Sequence, residues 1–104
     1  MYKLEFLSIA KKDIDDIIYY ISNNLKNKTT ARNLANNFVK GANSILEFPY
    51  GSSVYKTSKK LEQEYRSFKI KNFLMFYTIN EKKKVITIMR VLYQKMDINN
   101  ILEK

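Results

Sequence analysis

Apolar positions recur at three- and four-residue intervals through most of the first half of the chain and gather into short strand-length runs in the second half. Tyr2, Leu4 and Phe6 alternate with Lys3 and Glu5, the period-two pattern of a half-buried strand. Its shortness and its lysine suit an edge or near-edge position in a sheet. A helix is predicted from about Ser8, with Ser8 as N-cap, because Ala10, Ile14, Ile17, Ile18, Ile21 and Leu25 make one apolar stripe. Asp13, Asp15 and Asp16 lie near its start and read as stabilisers of the helix dipole. The polar run Asn23 to Thr30 breaks the stripe, and Thr29 or Thr30 can cap a second helix. Ala31, Leu34, Ala35, Phe38, Ala42 and Ile45 form the second stripe, and Phe48-Pro49-Tyr50-Gly51 ends it. Two helices joined by a short loop predict an antiparallel hairpin.

Gly51 to Glu64 is polar and basic, a loop with at most one helical turn. Three strands come next. Arg66, Phe68 and Ile70 alternate with polar residues, and a turn is predicted at Lys71-Asn72, with asparagine supplying the positive φ. Phe73 to Ile79 is apolar on both faces. It is therefore an interior strand covered on both sides, or one whose second face binds a partner. After a turn at Glu81-Lys82-Lys83, Val85 to Leu92 is again apolar on both parities. Asp97 to Glu103 adds a short helix or a tail. The expectation is one α+β domain over residues 1–104. In it a helical hairpin packs on one face of a small, mostly antiparallel four-stranded twisted sheet, in the order β-α-α-β-β-β. The other face offers positive charge to something anionic.

Composition narrows the chemistry. At 104 residues there is room for one core. No cysteine is present, which excludes disulfides and thiolate chemistry. No histidine is present, which removes the commonest general base and metal ligand. No metal site and no cofactor is expected. No segment approaches the roughly 18 consecutive apolar residues of a membrane span, and the N-terminus lacks the features of a secretion signal. The expected compartment is the cytoplasm. The net charge is +9. Residues 1–52 carry seven basic and five acidic side chains, +2, and residues 53–104 carry twelve and five, +7. A basic half on a small domain points to an anionic partner, nucleic acid or an acidic protein segment, or else serves solubility alone.

Several stretches, taken in order, resemble the RelE/ParE superfamily of toxins from bacterial type II toxin–antitoxin systems. They are Ala10 to Ile21 (A-x-x-D-I-x-x-I-x-x-Y-I), Leu46-Glu47-Phe48-Pro49, Tyr65-Arg66, Asn72 to Tyr77, and Ile88 to Tyr93 leading to Asp97. The resemblance covers nearly all of the chain. It implies a microbial-RNase-like fold and a cognate, acidic antitoxin that wraps the toxin. It also implies one of two targets: RelE-like members cut mRNA on the ribosome, and ParE-like members inhibit DNA gyrase.

The first expectation is a ribosome-dependent mRNA endoribonuclease that needs no metal. Arginine forks suit phosphate oxygens, so Arg66 and Arg90 are candidate catalytic residues, with Tyr93 and Lys95 for proton transfer or charge. Lys56, Lys59, Lys60, Lys69 and Lys71 are candidate nucleic-acid contacts. Two departures from the nucleases weigh the other way. Leu74 stands where they usually carry arginine, and their basic, aromatic C-terminal cluster is reduced to Gln94, Lys95 and Met96. Tyr93, in turn, stands where many members of the superfamily carry histidine. The alternatives are a non-enzymatic gyrase inhibitor and a degenerate member that only binds its antitoxin. A structural role for the two arginines also stays open, paired with Glu62, Glu64 or Asp97.

Overall fold

The computed structural model describes residues 1–57 and 63–103. Strand β1 (Lys3–Phe6) leads into helix α1 (Ser8–Tyr19), then helix α2 (Lys28–Glu47), strands β2 (Arg66–Ile70), β3 (Phe73–Asn80) and β4 (Val85–Tyr93), and a short helix α3 (Ile98–Leu102). The sheet order is β1-β4-β3-β2, with β1 parallel to β4 and the other two pairs antiparallel. The expected hairpin-on-sheet architecture is present, and β1 lies at an edge.

The main core lies between the hairpin and one sheet face. Leu34, Phe38, Ala42 and Ile45 of α2 meet Ile70, Met75, Tyr77, Ile86, Ile88 and Val91 of the sheet. Ala10, Ile14, Ile17, Ile18 and Ile21 close it from the α1 side. Tyr77 is fully buried and donates its hydroxyl to the Pro49 carbonyl at 2.6 Å, which fixes the exit from α2 to the middle of β3. α2 approaches β2 at Gly41. A Cβ built there would stand 2.5 Å from Ile70 Cδ1 and 3.3 Å from Phe68 Cε2, so only glycine fits without displacing the strand's side chains.

The second sheet face corrects one expectation. It is not a bare cationic surface, because α3 folds back over it. Ile98 and Leu102 pack with Phe76 and Leu92, flanked by Tyr55, Tyr65, Leu74 and Ile101. The edge of the Tyr55 ring meets Phe76 at 5.0 Å. This explains why β3 is apolar on both parities: each parity faces a separate cluster.

Other local expectations also change. The N-cap of α1 is Leu7, without a side-chain bond, and that of α2 is Asn27, whose side chain accepts from the Thr30 amide at 3.1 Å. α1 runs into a wider, π-type turn over Tyr20–Asn24, where the Leu25 amide donates to the Tyr20 carbonyl. The extra residue rotates the end of the helix, so Leu25 leaves the core stripe and is 58% exposed. At the β2–β3 turn Lys71, not Asn72, takes the positive φ of 54°. None of the aspartates lies in the first turn of α1. Asp16 pairs with Lys12, and Asp13 pairs with Arg90 of β4.

At the end of the sheet near the β3–β4 turn, Glu81 joins three segments. It accepts from Tyr2 (2.7 Å) and Tyr50 (2.6 Å) and pairs with Lys84. Lys84 first, then the two phenols, lower the Glu81 carboxyl to about 2, while the hydrogen bond that Tyr50 donates to Glu81 raises Tyr50 to about 12.

Two stability measurements probe these contacts. Gly41→Leu should lower the unfolding free energy by about 1–3 kcal/mol, read from the urea midpoint, because overpacking outweighs the gain in helix propensity. The depressed Glu81 carboxyl stabilises the fold above its unfolded value of 4.5, and that contribution is lost as pH falls through about 2. Thermal melts between pH 5 and pH 2 should therefore fall less steeply in Glu81→Gln than in the parent.

Candidate functional site

β4 is interrupted where it matters most. In register, Tyr77 faces Ile88 but Phe76 faces Arg90, so Met89 is an extra residue and forms a bulge. The bulge reverses side-chain parity. Ile86 and Ile88 face the hairpin before it, whereas Val91 does so after it, and Leu92 turns to the α3 side. β1 stops pairing at the same level, its last contact being the Leu7 amide on the Ile88 carbonyl. Among the described residues, the edge of β4 beyond this point has no neighbouring strand, and Asp13 of α1 takes that place. Its carboxylate accepts from Arg90 Nε (2.8 Å), from the second nitrogen of the Arg90 fork (2.9 Å) and from the Val91 amide (3.0 Å). The Arg90 and Asp13 side chains are only 24% and 13% exposed. The hydrogen bond to Asp13 raises the Arg90 guanidinium above its usual range.

Arg66 is held in a different way. It is the first residue of β2, opposite Tyr77. Its guanidinium donates to the Ser52 carbonyl at 2.6 Å, lies 3.6 Å from Glu64 and stacks 4.9 Å above the Tyr50 ring. Residues 53–55 run antiparallel beside it, through Tyr55 to Tyr65 and Ser67 to Ser53 amide–carbonyl bonds. Of the pairings expected for the arginines, Glu64 with Arg66 is present, and Arg90 pairs with Asp13 rather than Asp97.

The remaining candidates divide by position. Tyr93 ends β4 opposite Phe73, with ring centroids 5.7 Å apart and 38% exposure. The next residue, Gln94, donates its amide to the Asn72 carbonyl and so ties the end of β4 to the β2–β3 turn. This brings Lys71, Tyr93 and Lys95 to one end of the sheet, with Lys69 opposite Leu74 beside them. Lys69, Lys71 and Lys95 are exposed. Lys56 is exposed beside the Arg66 end. Lys59 and Lys60 lie outside the described residues. The nominated residues thus form an ammonium-and-phenol group at the β2–β3 turn, separate from two arginines whose forks are occupied within the protein. Among the described residues, no three carboxylates gather closely enough to hold a metal ion. No described helix is long and apolar enough to cross a membrane.

Sequence reasoning missed Asp13, because its partner is 77 positions away and its neighbours Asp15 and Asp16 look equivalent. It also missed an apolar hollow bounded by Tyr20, Leu25, Phe73 and Tyr93. The consecutive Tyr19-Tyr20, only one of which fits a stripe of this period, was the available signal.

Comparison with solved structures identifies the class of protein that shares this fold. The chain is similar to the chromosomal ParDE toxin–antitoxin system from P. aeruginosa, with TM-score 0.68 and 17% identity over 89% of this chain and 96% of that one. It is similar to the archaeal RelE–RelB complex from Pyrococcus horikoshii OT3, with TM-score 0.58 and 15% identity over 90% and 96%. It is also similar to the isolated E. coli RelE toxin, with TM-score 0.55 and 15% identity over 97% and 94%. At such identities the likeness is one of fold. A search of curated proteins gives no match. The family model described as ParE toxin of type II toxin–antitoxin system, parDE, matches residues 4–98, and the chain belongs to that family.

The Asp13 tie generates a test of Arg90's role. Asp13→Ala leaves a half-buried guanidinium and a strand-edge amide without partners, and should cost about 2–4 kcal/mol in urea unfolding. A double variant, Asp13→Leu with Arg90→Met, should recover part of that loss, since an apolar pair replaces a charged one.

Proposed function

We propose that this chain, the toxin of a type II toxin–antitoxin system, arrests growth by binding its target rather than by cutting RNA, with DNA gyrase as that target. The observation that carries this reading is the occupation of both arginine forks. Phosphate-transfer chemistry without metal or histidine needs a guanidinium free to follow charge onto the phosphate. Here Arg90 is spent on Asp13 and Arg66 on Ser52, Glu64 and Tyr50. Freeing Arg90 would leave the Asp13 carboxylate, and freeing Arg66 the Ser52 carbonyl, without the donor that now satisfies it. Membership in the ParE family supports the same reading, since the ParE-like members that the sequence resembles inhibit gyrase. The ParDE and RelE–RelB neighbours are toxin–antitoxin assemblies, which supports a cognate antitoxin as partner for this chain.

One observation favours the endoribonuclease reading. Lys69, Lys71, Lys95 and Tyr93 share one end of the sheet, and aromatics among lysines suit single-stranded RNA. The two readings separate cleanly. Purified gyrase with excess toxin should lose supercoiling activity, and translating ribosomes with the same toxin should leave their mRNA intact. Unchanged supercoiling together with cut message reverses the conclusion. Tyr93→Phe provides an independent check. Growth inhibition should stay within about threefold, whereas losing a proton-transfer group would cost about 100-fold or more.

A further inference from the structure

The sheet has two outer edges, β2 and β1. Residues 53–55 run along the start of β2 and take up hydrogen bonds at Tyr65 and Ser67. Among the described residues, no segment does this for β1. Its backbone groups divide by parity. The Lys3 amide donates to the Lys84 carbonyl and the Leu7 amide to the Ile88 carbonyl, with Glu5 opposite Thr87 between them. The odd-numbered residues therefore turn their amides and carbonyls toward β4, and Leu4 and Phe6 turn theirs outward. Neither of those two amides has a partner among the described residues. An open row of this kind is a template for another strand.

The side chains of β1 match a second copy of themselves. Set antiparallel about a twofold axis at Leu4, the strand places Leu4 against Leu4, Tyr2 against Phe6 and Lys3 against Glu5. The even-numbered pairs are then the hydrogen-bonded ones, as the outward groups require. Lys3 and Glu5 are exposed and form no ion pair among the described residues, so both are available for the opposite-charge contacts. The register is selective. A slip of two residues keeps the hydrogen-bonding groups facing but sets Lys3 against Lys3 or Glu5 against Glu5. Tyr2, Leu4 and Phe6 are only partly buried against the core, and Met1, Leu7 and Ile9 beside them are exposed, so pairing also covers apolar surface.

A net charge of +9 opposes self-association, but the charge is unevenly placed. Residues 1–16 carry three basic and four acidic side chains. Two copies therefore meet at β1 with less repulsion than at the lysine-rich β2–β3 turn.

We propose that the chain pairs with a second copy of itself through β1. The result is a continuous eight-stranded sheet, β2-β3-β4-β1-β1-β4-β3-β2, with both helical hairpins on one face. This pairing goes beyond the choice of target and holds whether that target is gyrase or RNA.

Sedimentation equilibrium of the purified chain tests it, over a concentration series up to about 0.5 mM, since so short an edge makes a small interface. The parent should show a monomer–dimer equilibrium. Glu5→Lys sets lysine against Lys3, and Lys3→Glu sets glutamate against Glu5. Each should weaken the dimer by about 10-fold or more. An equimolar mixture of the two variants regains both opposite-charge contacts and should form a heterodimer within about threefold of the parent affinity. Glu47→Lys adds the same charge as Glu5→Lys but at the end of α2, and should stay within about threefold of the parent. All three positions are exposed, and far-UV circular dichroism checks that each variant is folded. Hydrogen exchange gives a second readout: the Leu4 and Phe6 amides should exchange more slowly as the chain is concentrated. A chain that stays monomeric throughout the series overturns the pairing. So does a dimer that Glu5→Lys leaves intact, or one that mixing the variants fails to restore. Protection of the Leu4 and Phe6 amides only after adding the protein encoded by the adjoining reading frame gives the edge to that protein and overturns it as well.

Discussion

The tie between Asp13 and the far half of β4 is the constraint on which the rest of this fold depends. A four-residue β1 cannot cover a nine-residue β4, so the outer edge of β4 must end in water or be capped. The carboxylate of Asp13 caps it, taking the Val91 amide where a further strand would otherwise lie. The same carboxylate holds the Arg90 fork, and this anchors α1 to the sheet just past the bulge. Removing either partner strands the other with little water to replace it, which is why such a pair costs more to break than it contributes. The bulge lies immediately before this tie. By reversing parity it delivers Val91 to one core and Leu92 to the other, and the strand therefore serves two hydrophobic clusters at once.

Much of this architecture was legible in the pattern of apolar residues, because period and turn chemistry are local. Apart from Leu25, the two stripes lie where the spacing puts them, as do the break at Phe48-Pro49 and the three closing strands. The features that stayed hidden depended on distance along the chain. Asp13 reads as one of three aspartates near a helix start until the fold brings β4 beside it. β4 reads as doubly apolar because a bulged strand presents alternate parities, and sequence cannot separate that from a strand buried on both faces without interruption. Gly41 interrupts no stripe, so only the closeness of Ile70 reveals why it is small. At the turn, chemistry favoured Asn72 for the positive φ. The structure places Lys71 there, and Asn72 instead bonds through its carbonyl to Gln94.

The candidate site was legible as composition and not as geometry. Lysines, two arginines and a tyrosine in the second half suggested one electropositive surface. The fold divides them. Arg66 closes the loop end beside Tyr50, Arg90 closes the sheet edge, and only the lysines of the β2–β3 turn and β4 end stand together with Tyr93. Arginine is the better structural cation because its planar fork satisfies two acceptors at once, and lysine is the better surface cation because its ammonium stays hydrated. This chain uses each in that way, so its two half-buried arginines are poor guides to where it meets other molecules.

Charge balance at the two ends of the sheet carries this division further. Near the β3–β4 turn, Glu81 meets Lys84 and two phenols, so the protein compensates its own charge where three segments must close. At the opposite end Lys40, Lys69, Lys71 and Lys95 have no ionic partner among the described residues, and Tyr20, Leu25 and Tyr93 lie open nearby. Crowded like charges oppose the compact state, and exposed apolar side chains forgo the gain of burial.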